Sequence, residues 1–172
     1  MFSKTHFKFY KVYSALAIAS KFISLGIQNS QPISPMKLQK MVYFAHGLHL
    51  ARYGKPLINE NIQAWEYGPV IPVLYHQFKK WGNNPITENP KIGMLVGNRF
   101  ISGLDHFDDD AEQTIRLAWD VTKGISAPQL STWSHAEGSP WSKTFEGPGS
   151  SPINNEEIKN YFKTQMQGVS NG

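Results

Sequence analysis

The chain has 172 residues, of which 40% are hydrophobic, 13% aromatic and 17% charged, a composition that excludes a disordered chain and fits one globular core. It contains no cysteine, which excludes a disulfide framework, a zinc knuckle and a cysteine nucleophile. The net charge of +4 is uneven: residues 1–59 carry eight Lys or Arg and no Asp or Glu, whereas "LDHFDDDAE" at 104–112 concentrates acid.

Lys4, Lys8 and Lys11 precede the apolar run "VYSALAIAS", which imitates a secretory signal. The apolar positions Val12, Leu16, Ala19, Ile23 and Ile27 continue past Lys21 with a period near 3.6, so a core helix near 12–28 is predicted instead. No uncharged run approaches the roughly 20 residues of a membrane span, and a cytoplasmic location is expected. The lysines of the first third are spaced singly along helices, which favours a solvated face over a nucleic-acid patch.

"NSQPIS" reads as a loop, and Ser34 with Pro35 starts a second helix over 35–53, ended by Gly54 as a left-handed cap. "NIQAWEY" is extended. Gly68 and Pro69 are expected to open a helix, "PVIPVLYHQFKKW", closed by Gly82. "IGML" and "RFIS" flank Val-Gly-Asn and predict a hairpin. The acidic cluster has a structural reason, because Asp108 caps a helix over 108–123 whose first turn holds Asp109, Asp110 and Glu112. Ser126 and Gln129 form a capping box for a short helix over 126–135. A last helix follows Asn154 or Asn155, with Ile158, Tyr161 and Phe162 inward, and residues 164–172 are expected as a flexible tail.

Several residues invite chemistry. His46 and His49 share a helix face at metal-ligand spacing; together with His135 and Glu137 they define the enzyme alternative, a small metal-dependent or acid/base catalyst. Two ligands do not make a site, and buried histidines bonded to the backbone account for the pair better. Glu66, between Trp65 and Tyr67, invites a raised-pKa carboxylate, against a turn in which the two aromatics pack on opposite sides of a strand. "SHAEGSPW" at 134–141 contains the His-x-Glu of zinc deaminases but lacks the cysteine pair their metal needs. It reads instead as a corner in which Gly138 ends a helix, Trp141 fills the core, and His135 and Glu137 bond exposed backbone groups. Phosphate loops, Gly-x-Ser-x-Gly elbows, His-Glu-x-x-His helices and EF-hand loops are absent from the sequence. Catalytic, cofactor and metal sites are therefore not expected.

Three segments, "KLQKMVYFAHGLHLARYGKPL" (37–57), "IQAWEYGPVIPVLYHQFKKWG" (62–82) and "LSTWSHAEGSPWSKTF" (130–145), resemble the Panacea antitoxin domain of SocA-like and phage-associated GepA proteins. The resemblance covers about residues 12–163 and departs from the family at His46, where glutamine is common. It implies one predominantly α (α+β) domain over 1–172, with about six helices and a small antiparallel hairpin or sheet. It further implies an antitoxin without catalytic residues that binds a toxin encoded beside it, and in some members delivers the toxin to a cytoplasmic protease. Lys40, Tyr43, Trp65, Tyr67, Pro69, His135, Glu137 and Trp141 are the signature or contact candidates. A nucleic-acid-binding phage or prophage protein is the remaining alternative.

Overall fold

A computed structural model of the chain describes residues 10–102, 106–149 and 151–169. In chain order the elements are α1 (Ala15–Gln28), α2 (Pro35–Tyr53), β1 (Gln63–Trp65), β2 (Gly68–Val70) and α3 (Pro72–Phe78), followed by a 3₁₀ turn Lys79–Trp81. Then come β3 (Gly93–Val96), β4 (Arg99–Ser102), α4 (Asp109–Thr122), α5 (Ala127–Ser134), α6 (Pro140–Thr144), β5 (Ser151–Pro152) and α7 (Asn155–Val169). The fold is α+β and mainly helical, as the resemblance implied.

Local chemistry sets most helix ends. The Ser34 hydroxyl accepts from Lys37 N with Pro35 in the first turn, and Gly54 closes α2 at φ 67°. Asp108 accepts from Ala111 N at the head of α4. Both halves of the Ser126–Gln129 capping box are formed at α5. At α7 the cap is Asn154, whose Oδ1 accepts from Glu156 N at 2.7 Å.

The remaining boundaries depend on pairing. α1 begins at Ala15 rather than near 12, because Tyr13 is drawn into a parallel bridge with Ile58: its N donates to Leu57 O at 2.9 Å and its O accepts from Asn59 N at 3.0 Å. The helix expected from Gly68–Pro69 begins only at Pro72. Residues 68–70 form β2 instead, antiparallel to β1 with Trp65 opposite Gly68. β5 pairs with the other edge of β1, so β2 is an outer strand, where a proline without an N–H is tolerated. The predicted 92–102 hairpin is present; its turn is Gly97–Asn98, with Gly97 at φ 62°. "PWSKT" forms the short helix α6, capped by Ser139. α7 runs to Val169, into the stretch expected as tail.

α2 is the axis of the core, and α1, α3, α4, α5, α7 and β2 all pack on it. Nearly every residue from Lys37 to Leu50 is buried, as expected of a helix enclosed on all sides. α7 crosses it closely at Gly47, where an added Cβ would overlap the Phe162 ring. Among the described residues, no helix is long and apolar enough to cross a membrane.

Candidate interaction surface

A buried polar group is stable only when bonded, and α2 carries five that each hold a different neighbour. Lys37 Nζ donates to Lys123 O at 2.6 Å, putting a cation at the carbonyl end of α4 where the helix dipole favours it. Gln39 holds both backbone groups of Ile71, donating to O at 3.1 Å and accepting from N at 2.9 Å. Lys40 Nζ donates to Tyr67 O at 2.9 Å and Pro69 O at 3.1 Å.

The two histidines serve the same purpose. His46 Nδ1 accepts from Ile58 N at 3.4 Å, so its proton is on Nε2 and is donated to Asn155 Oδ1 at 2.9 Å. Burial pushes the His46 pKa down to about 4. His49 Nδ1 lies 2.9 Å from Thr114 Oγ1, which itself donates to Asp110 O. Burial lowers the His49 pKa too, opposed by Asp108 and Asp110. The two rings thus tie α2 to α7 and to α4 separately. Among the described residues no three His, Asp or Glu side chains gather in metal-binding geometry.

Six of the eight candidate residues, Lys40, Trp65, Tyr67, Pro69, His135 and Trp141, meet at the β1–β2 turn. Its successive carbonyls are taken by side chains from other elements: Trp65 O by Trp141 Nε1 at 2.7 Å, and Tyr67 O and Pro69 O by Lys40. His135 Nε2 faces Glu66 O at 3.4 Å while its Nδ1 donates to Ser131 O at 2.6 Å. The His135 ring lies 4.0 Å from Trp141, which stacks on Phe145 at 4.8 Å. Gly68, at φ 105°, lets the chain press against both supports: a Cβ there would fall 2.5 Å from Lys40 Nζ and 2.9 Å from His135 Cε1.

The eight candidates therefore divide. Lys40, Tyr43 and Pro69 are buried, Trp65, His135 and Trp141 are half-buried, and Tyr67 and Glu137 are exposed. Tyr43 joins an aromatic cluster with Phe162 and Trp133; burial raises its pKa, and its hydroxyl has no hydrogen-bond partner among the described residues. Two expectations need correction. Tyr67 does not pack beside the strand but stands 69% exposed at the turn, because the hairpin reverses there. Glu137 does not bond the corner: it is exposed, and no hydrogen bond of its side chain is found among the described residues. His135→Ala is accordingly expected to lower stability by about 1–2 kcal/mol, and Glu137→Ala to change it by less than about 0.5 kcal/mol, in urea denaturation.

Lys40 is also a landmark of a cleft of about 350 Å³ between the start of α2, the β1–β2 turn and α3, with Met36, Trp65, Leu74 and Tyr75 in its walls. Burial lowers the Lys40 pKa to about 7, and no carboxylate pairs with it among the described residues. At the cleft mouth, Tyr67, Tyr75 and Met36 remain substantially exposed, and Tyr75 packs edge-on against Trp65 at 5.1 Å. Sequence reading missed Met36 and Tyr75, for which an apolar residue at a helix start and a lone helix tyrosine are weak signals.

The region that holds the turn coincides with a known domain. The family described as Antitoxin SocA-like, Panacea domain, matches residues 38–142, from the α2 supports to Trp141. The chain is 34% identical over 166 residues to Antitoxin SocA of Caulobacter vibrioides (strain NA1000 / CB15N), covering 91% of this chain and 86% of that protein. No solved structure matches. With a family match over most of the region that builds and holds this turn, the chain belongs to the SocA-like antitoxin family of the Panacea domain.

Proposed function

We propose that this chain is a cytoplasmic antitoxin that neutralises a protein toxin, encoded beside it, by binding it directly through the face around the β1–β2 turn. The observation that carries the surface is the contrast at that turn: its carbonyls are bonded inward while Tyr67, 69% exposed, projects outward next to Tyr75 and Met36. Exposed aromatics on a preorganised support are the usual anchors of protein interfaces, because little conformational freedom is lost on binding. Family membership supports the antitoxin role. Delivery to a protease would add to binding rather than replace it, and would appear as a shortened toxin half-life.

The test is to express the neighbouring open reading frame alone and together with this chain. Growth arrest relieved by co-expression is expected. A harmless neighbour, or one that stays lethal, defeats the antitoxin reading. The double variant Tyr67→Ala/Tyr75→Ala is expected to weaken toxin binding at least about 30-fold, the scale of a truncated hot spot, with a smaller cost to folding because Tyr67 is 69% and Tyr75 44% exposed. Undiminished rescue and affinity would move the interface elsewhere.

A further inference from the structure

The cleft beside the turn presents an unmet electrostatic demand. Lys40 is 1% exposed, and two of its three ammonium protons are committed to Tyr67 O and Pro69 O. When the amine is protonated, its third proton has no acceptor among the described residues, and no described acid pairs with the charge. None of the residues lining the cleft is acidic, and Lys79 adds a second cation at its rim. The other polar floor residue, Gln39, is already spent on Ile71. A desolvated cation without a counter-charge is costly, so an incoming carboxylate gains more there than at an ordinary surface lysine. The volume, at the low end of ligand-site sizes, suits a side chain or two rather than a large cofactor.

We propose that this cleft receives an Asp or Glu side chain of the toxin, carried beside an apolar residue, whose carboxylate accepts the third proton of Lys40 while its neighbour packs on Trp65, Met36 and Leu74. This deepens the antitoxin reading and rests on it. The toxin is thereby recognised by charge at the cleft floor and by apolar contact at its walls, which confers selection against surfaces that lack the acid.

The experiment measures calorimetric affinity for the product of the neighbouring open reading frame. Asn83 is an exposed residue at the cleft rim, so Asn83→Lys and Asn83→Asp differ in charge at little structural expense. The lysine variant is expected to bind at least tenfold more tightly than the aspartate variant at low salt, with the gap shrinking at high salt. Lys40→Met is expected to weaken binding at least tenfold. One toxin Asp→Asn or Glu→Gln substitution should weaken the wild-type complex comparably yet have no further effect on Lys40→Met. If Lys40→Met fails to fold, the Asn83 pair still decides. Equal affinities of the two Asn83 variants, or no toxin acid whose effect depends on Lys40, overturn this proposal alone. Absence of any complex overturns the antitoxin reading with it.

Discussion

Phe162→Ala is expected to remove about 3–5 kcal/mol of stability, the range for truncating a buried aromatic ring. Phe162 is 3% exposed and packs on Tyr43, Phe44 and Trp133 at ring distances of 5.8, 5.6 and 5.7 Å. Its removal leaves a void in the middle of the α2–α7 contact, where helical backbone on one side limits collapse. The mirror experiment is Gly47→Ala, in which the added methyl meets the same ring and overpacking is expected to lower stability by about 1–3 kcal/mol. Because both changes act on one contact, they should not add: Gly47→Ala/Phe162→Leu is expected to be more stable than the sum of its single variants. Urea midpoints at neutral pH test this. A Phe162→Ala variant within about 1 kcal/mol of wild type would show that the crossing tolerates a void.

Acidification from pH 7 to pH 5 is expected to lower stability by about 2 kcal/mol through His46 alone. Its folded pKa is about 4, against the ordinary 6.5 that the unfolded chain shows. Between those values the unfolded state binds the proton and the folded state does not, so stability is intact above pH 6.5 and is lost as pH falls toward 4. The full window corresponds to about 3 kcal/mol. Burial is the main cause, with nearby His49 acting in the same direction and the Asn155 bond opposing it. His49 is lowered too and adds loss of the same sign. His46→Gln keeps one donor for Asn155 and one acceptor for Ile58 N without a proton to bind, so its pH dependence should be flatter by about 2 kcal/mol over this range. Urea denaturation of both proteins at pH 5, 6 and 7 checks this, and equal slopes would refute it. Lys40 acts at the alkaline side: its pKa is lowered from 10.5 to about 7, so stability rises as pH climbs through that interval.

Both experiments concern residues that connect α2 to its surroundings, and this is where sequence and tertiary structure part. The helix starts at Ser34, Asp108 and Ser126 and the end at Gly54 were legible because a cap is an interaction across three or four residues, complete within the segment that encodes it. The antitoxin domain was legible as well, through three segments whose order and spacing act together. The α-helical start expected at Gly68–Pro69 gave way to β2, since pairing with β1 and capture of the turn carbonyls by Lys40 decide that stretch. Tyr67 became exposed and Glu137 lost its expected role for the same reason: their surroundings come from other elements.

Lys40 marks the boundary most sharply. In the linear pattern it is one lysine among the basic residues of the first third, suited to a solvated helix face. Its acceptors lie 27 and 29 residues further along, and only folding brings them within reach. The sequence by itself determined most of the helices, the caps at Ser34, Gly54, Asp108 and Ser126, and the family, because those depend on local spacing. Tertiary structure alone decided which polar groups are buried, which turn they hold and which cleft lacks a counter-charge, because burying a polar group requires partners that distant parts of the chain must supply.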